Sequence, residues 1–245
     1  MKFAVIGGTG FIGSRVVQAL IGRGHDANAH SRSTGVDIIT GQNVDSALAG
    51  ADVVINVTDA PSFDSAAFAF FQTSMDNLLQ ASAKASVGHF VLLSIVGIDH
   101  VPAVAYYRAK VLQEDILKAG PILYSIVRAT QFMEFVGTIL SMTTDVDAGV
   151  IRLPRTPIQP IAAADVVSFI VETATGSPVN GIINIAGPDV YPLDELGRIT
   201  LAAKNDLRTV VVDDTAGLFS AVPANAITAG TDARIGAVHY RDWLS

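Results

Sequence analysis

This 245-residue chain predicts an α/β fold, a doubly wound parallel sheet sandwiched by helices and completed by a small C-terminal capping part. Short apolar runs alternate with longer segments of helical period from the first residue onward. The first run, KFAVI, leads directly into GGTGFIG, a glycine-rich turn of the kind that joins a strand to a helix. No repeat, low-complexity tract or linker interrupts the series, so residues 1–245 read as one domain. Its core is expected over 1–130, with 131–245 returning to the sheet in part and capping it in part.

The elements follow in order. A strand at 2–6 enters the glycine turn and a helix at 11–22; strands at 27–30 and 36–39 come next, joined by SRSTG, which is too short for a full helix. A one-turn helix at 46–49 precedes a strand at 53–57, and a long helix at 65–85 precedes a strand at 89–94. The pattern repeats with a helix at 104–119 and a strand at 123–128. After Arg128 the spacing loosens around Pro154, Pro157 and Pro160. A helix at 162–174, a strand at 181–186, a helix at 193–204 and a loop-rich tail complete the chain.

Composition narrows the function. Half of the residues are hydrophobic, 16% are charged and the net charge is −7. With no cluster of Lys and Arg, nucleic acid and anionic membrane are excluded as expected partners. The apolar excess is expected to serve a pocket or a contact between copies in a homo-oligomer. Cysteine is absent, which removes disulfides, thiolate metal sites and a thiol nucleophile, and no metal site is predicted. The opening apolar run is too short for a signal sequence and no run is long enough to span a bilayer, so a cytoplasmic location is expected.

Gly7, Gly10 and Gly13 bear the first functional signal. The first permits a tight turn, the second lets backbone approach a pyrophosphate, and the third lets helix and strand pack closely. The helix beginning at Phe11 and Ile12 then offers its free N–H groups and dipole to phosphate, with Thr9 beside them. A dinucleotide site on a Rossmann-type fold follows. At the end of the second strand, where a carboxylate would hold the ribose of NAD, the chain reads Ala29-His30-Ser31-Arg32-Ser33. A guanidinium with neighbouring hydroxyls suits a 2′-phosphate, so Ser31 and Arg32 predict NADP, with NADPH preferred over NADH.

In AYYRAK the second signal appears. A carbonyl receiving hydride needs a proton donor, and a phenol whose pKa is lowered by a lysine one helical turn away fills that role. Tyr106 and Lys110 have the required spacing; Tyr107 has Val111 there instead. Taking Ala105, Ala109, Leu112, Ile116 and Ala119 as the buried stripe puts Tyr106 at its edge and Tyr107 toward solvent or another subunit.

The G-x-x-G-x-x-G spacing, followed in order by LSIVGID, YYRAKVLQEDILKAG and YSIVRATQFMEF, resembles the NmrA-like branch of the atypical short-chain dehydrogenase/reductases. Pro160-Ile161-Ala162-Ala163-Ala164-Asp165-Val166 matches the segment in which an Asp caps a later helix there. The resemblance implies that Ser94 joins Tyr106 and Lys110 in a catalytic set, hydrogen-bonding the substrate oxygen while Lys110 also holds the cofactor. It implies that backbone at Val57 and Thr58 runs past the cofactor, and that Gln131 and Phe132 lie at the substrate mouth, which Phe63 is best placed to join. The implied activity is NADPH-dependent reduction of a carbonyl, quinone or conjugated double bond in a small, largely apolar substrate. A non-catalytic NADP(H)-sensing regulator, with the Tyr107/Val111 face as a contact, is the alternative. A sugar-nucleotide epimerase fits less well because the C-terminal half is short for a nucleotide-sugar lobe.

Overall fold

The computed structural model describes residues 1–223 and 225–245. Its elements are β1 (Lys2–Ile6), α1 (Phe11–Gly22), β2 (Asp26–His30), α2 (Val44–Leu48), β3 (Val53–Asn56), α3 (Ala66–Lys84), β4 (His89–Ile95), α4 (Ala105–Ala119), β5 (Tyr124–Ala129) and α5 (Val136–Met142). There follow β6 (Thr144–Asp145), β7 (Val150–Leu153), β8 (Pro157–Ile158), α6 (Ala163–Thr175), β9 (Gly181–Ala186), β10 (Tyr191–Pro192), α7 (Leu193–Ala203), β11 (Thr209–Val212), β12 (Arg234–Ile235) and α8 (Tyr240–Leu244). Seven strands form one sheet in the order β12-β9-β5-β4-β3-β1-β2. β2, β1, β3 and β4 are parallel neighbours. This is the expected Rossmann-type, doubly wound sheet. Strand order reverses between β1 and β3, which opens a crevice beyond their carboxyl ends, where ligands of such sheets bind.

The chain divides into two compact units, one of Met1–Ser94, Ala105–Arg128 and Val167–Ile183, the other of Ile95–Val104, Ala129–Val166 and Asn184–Ser245. In the first, Ala4, Ile6, Val54, Phe90, Leu92 and Ile126 of the sheet pack on Leu48, Met75, Leu78 and Leu117 of the helices. All four residues of β3 are buried, as in a parallel strand covered on both faces.

Residues 36–39, expected as a strand, form none. After a 3-10 turn at Arg32–Thr34, Gly35 adopts φ 85°. Asp37 then captures the backbone N–H groups of Ile39 (2.8 Å) and Thr40 (3.2 Å), supplying locally the acceptors a neighbouring strand would provide. Val36 still buries its side chain in the core.

In the second unit, β7 is flanked by β11 in parallel and β6 antiparallel, with α7 packed on β7 and β11. These short strands escape sequence reading because two to four residues carry little period. Asp165 lies in the first turn of α6 but does not cap it: its carboxylate accepts from Val238 N (3.1 Å), while Glu134 accepts from Ala163 N at the helix start (3.2 Å). Among the described residues, no helix is long and apolar enough to cross a membrane.

His89, at the start of β4, has 3% of its surface exposed and places Nε2 2.8 Å from Ser125 Oγ. Burial lowers its pKa to about 4. The unfolded chain therefore binds more protons between about pH 6.5 and about pH 4, and folding stability falls as pH drops through that window. The ring lines a shallow surface cavity, which moderates the effect to about 2 kcal/mol. Urea unfolding from neutral to acid pH should show this loss, and it should disappear in His89→Gln.

Candidate active site

A cradle for phosphate is built where β1 meets α1. Gly7 turns at φ 82° and donates its N–H to His30 O (2.9 Å), which ties the loop to the end of β2. Gly10 donates to Gly7 O (3.0 Å), closing the turn. A Cβ at residue 13 would lie 2.1 Å from Gly7 O, and one at residue 8 would lie 2.6 Å from Ala29 Cα, so the loop exists only with glycine at both. α1 carries no side-chain cap at its N-terminus, leaving the first-turn N–H groups for a ligand. Phe11 is exposed, with the Arg15 guanidinium 4.0 Å over its ring, while the Ile12 side chain is buried.

Around the cradle, two further segments converge. Thr9 Oγ1 lies 2.9 Å from Ser31 Oγ, and Ser31 Oγ lies 2.8 Å from Ser33 Oγ, giving a hydroxyl cluster that extends to the exposed Arg32. From the other side comes the loop after β3. Thr58 N would lie 3.2 Å from a Cβ placed on Gly7, and Thr58 is held by its N–H (3.0 Å) and hydroxyl (2.7 Å) on the buried side chain of Asn56. The glycine loop with Thr9, Phe11 and Ile12, the Ser31–Arg32 segment and the Val57–Thr58 loop thus converge on one place.

One residue beyond Thr58, the site departs from expectation. Asp59 Oδ1 accepts the hydroxyl of Tyr106 and the N–H of Ala60 (2.9 Å). Phe63 meets the Tyr106 ring edge-on at 5.0 Å, and the buried Phe71 lies 6.1 Å away. Burial, then the charge of Asp59 and its hydrogen bond, raises the Tyr106 pKa above the ordinary phenol value. The expected lowering by Lys110 is therefore corrected. Lys110 directs its ammonium at Leu93 O (3.1 Å) and Gln113 Oε1 (2.6 Å), with Nζ 5.0 Å over the Phe71 ring. Burial lowers its pKa to about 8, against the raising influence of Asp59 and Glu114.

Ser94 and Tyr107 are likewise corrected. Ser94 is buried and donates its hydroxyl to Glu114 Oε1 (2.7 Å), so its proton is committed to the interior rather than to a substrate oxygen. Tyr107 is buried at 5% exposure, which removes the surface contact proposed for it. Both corrections have one cause. Of its apolar stripe α4 fully buries Ala109 alone: Tyr106, Tyr107, Ala109, Lys110, Gln113, Glu114 and Leu117 face inward, while Ala105, Leu112 and Ile116 are half-buried and Ala119 is exposed.

The inward polar groups are matched. Glu114 takes Arg128 through Nε (2.8 Å) and a terminal nitrogen (2.7 Å), and Lys118 through Nζ (3.2 Å). Burial pushes the Glu114 pKa up, but the bonds from Arg128 and Ser94 and the charges of Arg128 and Lys118 prevail and hold it below the usual value. In the second unit, Gln131 is buried, with Nε2 3.5 Å from Ile227 O and Oε1 without a hydrogen-bond partner. Half-buried Phe132 forms a parallel bridge with Ile161.

Residues 7–176 match the family model described as NAD(P)H-binding. The chain belongs to that family. Membership agrees with the NmrA-like, atypical short-chain dehydrogenase/reductase pattern of its motifs and with a nicotinamide dinucleotide as cofactor. The chloroplastic divinyl chlorophyllide a 8-vinyl-reductase of Cucumis sativus is 28% identical over 232 residues, covering 78% of this chain and 54% of that protein. The chain spans about half the length of the curated relatives it matches. Among solved structures, the Bordetella bronchiseptica enzyme WbmG in complex with NAD superposes with TM-score 0.77 at 15% identity, covering 100% of this chain and 91% of that one. The NADPH-dependent quinone oxidoreductase QOR2 of Escherichia coli, complexed with NADPH, gives 0.68 at 16% identity over 86% and 77%. At these identities the two structures establish fold.

For this NAD(P)H-binding chain, sequence reading missed Asp59 as the partner of Tyr106, and Glu114 as the partner of Ser94. Asp59 reads locally as a turn residue before Pro61, and only the fold brings it to a tyrosine 47 positions away.

Proposed function

We propose that the protein is an NADPH-dependent reductase of a carbonyl, quinone or conjugated double bond in a small, largely apolar substrate. The observation that carries this reading is the Asp59–Tyr106 pair, which joins the loop continuing from the cofactor cradle to the Tyr-x-x-x-Lys helix. The dinucleotide, when bound, supplies hydride. Tyr106 would then provide the proton, and Lys110, whose ammonium rests on Leu93 O and Gln113 Oε1, would hold the nicotinamide ribose through its remaining N–H. Phe63, exposed beside Tyr106, offers an apolar wall to a flat acceptor. Ser94 supports Glu114 rather than the substrate. The reading is tested by following NADPH oxidation over a panel of quinones, enones and ketones. At least one class should turn over, and Tyr106→Phe should lower kcat on the order of 100-fold while leaving NADPH affinity within about threefold. Tight NADPH binding without turnover of any acceptor would sink it.

NADPH preference rests on Arg32 with the Thr9, Ser31 and Ser33 hydroxyls. Charge-assisted bonds to a 2′-phosphate contribute about 1.5–3 kcal/mol. Arg32→Ala should therefore weaken NADPH about 10- to 100-fold more than NADH in parallel titrations. Equal losses for the two cofactors would assign Arg32 to the solvated surface.

A further inference from the structure

We propose that Asp59 is a positioning residue that relays protons from solvent to Tyr106 and gates their delivery to the substrate. The inference rests on the reductase reading above. The Tyr106 phenol is buried at 5% exposure, whereas Asp59, whose carboxylate holds it, is an exposed loop residue. Water reaches the carboxylate and the phenol reaches inward, so the two form a short path between solvent and the substrate side.

The charges set the order of events. When Asp59 is ionised, the phenol proton points at the carboxylate, and giving it to a substrate would leave a phenolate beside a carboxylate in a buried place. When Asp59 is protonated, its O–H turns to the Tyr106 oxygen and the phenol O–H is released toward the substrate. The step then balances. A bound nicotinamide dinucleotide would supply hydride to the substrate carbon, and the substrate oxygen would take the Tyr106 proton as that O–H bond breaks. The Tyr106 oxygen takes the Asp59 proton, and the Asp59 carboxylate regains one from water. The titratable groups of α4 that face Asp59 are Tyr106, with Tyr107 behind it, and Lys110; the Phe63 and Phe71 rings close the remaining sides of Tyr106 without titrating.

Two measurements on the full chain test the inference. The first needs no cofactor. A hydroxyl proton held between phenol and carboxylate should resonate far downfield of the amides in the proton NMR spectrum, vanish in Tyr106→Phe and move upfield in Asp59→Asn. Its absence from the wild type would overturn the pairing. The second is the pH profile of acceptor reduction. Wild-type kcat should depend on pH through the proton that Asp59 supplies, being highest at the acid end, while Asp59→Asn, which keeps an acceptor oxygen but carries no proton, should be flat and at least about tenfold slower at the acid end. Asp59→Glu should restore the slope. An Asp59→Asn enzyme with the wild-type slope and kcat would overturn the relay alone. A wild type inactive on every acceptor would overturn the reductase reading and the relay with it, even with the downfield proton present.

Discussion

Gly13→Ala is expected to abolish dinucleotide binding, with NADPH affinity lost by more than about 100-fold, the equivalent of about 3 kcal/mol or more. The reason is confined to one methyl group. Its carbon would sit 2.1 Å from Gly7 O, 2.7 Å from Gly7 C and 2.8 Å from Gly8 Cα. All three are backbone atoms of the turn, so no side-chain rotation relieves the clash. α1 must move off the loop or the loop must open, and either change withdraws the first-turn N–H groups from the phosphate position. Overpacking of this kind costs about 1–3 kcal/mol of folding stability as well. Gly22→Ala, at the other end of the same helix, is the matched control, because a Cβ there has nothing within 4 Å. It should leave NADPH affinity unchanged and raise stability by up to about 1 kcal/mol. Calorimetric titration with denaturant melts on both variants measures the contrast. Equal NADPH affinity in Gly13→Ala and wild type would show that the phosphates do not use this turn.

The second large effect lies at Arg128. Glu114 is fully buried, and Arg128 meets it with two parallel bonds of 2.8 and 2.7 Å. Arg128→Met removes the main counter-charge and leaves Ser94 and Lys118 to hold the carboxylate. Breaking one side of such a pair costs about 3–5 kcal/mol, because a buried charge is left poorly compensated. The sign of its pH dependence follows. In the wild type the Glu114 pKa lies below its ordinary value, so the pair stabilises the fold at neutral pH and that contribution declines as the carboxylate protonates. The destabilisation by Arg128→Met should therefore be largest at neutral pH and shrink toward acid. Glu114→Leu combined with Arg128→Met should recover a good part of the loss, since an apolar pair of similar volume needs no solvation. Urea unfolding of the single and double variants at two pH values checks both statements.

What was legible in the sequence follows the range of the interactions involved. β1 and α1 begin and end where alternation and the glycine turn put them, because each is set by its own residues and its immediate neighbours. The cofactor loop was readable for the same reason. Residues 36–39 misled, since an apolar run says nothing of whether Asp37 will take its N–H groups first. α4 misled more instructively. Hydropathy placed its apolar side inward, but the partners that make a polar interior tolerable, Asp59, Leu93 O, Ser94 and Arg128, arrive from β3's loop, β4 and β5. Spacing alone marked Tyr106 and Lys110 as a pair. It could not say that the phenol would face a carboxylate or that the lysine would turn to a backbone carbonyl.

The polar inner face of α4 also governs how the helix is indexed along the sheet. A greasy helix face can slide by one turn and meet another set of methyl groups at modest cost. α4 cannot, because a slip would take Lys110 off Leu93 O, Glu114 off both Arg128 and Ser94, and Tyr106 off Asp59 at once. These bonds work like the teeth of a key, admitting one longitudinal setting. Substitutions on the outer side of α4 can then vary freely without displacing Tyr106 from the end of β3.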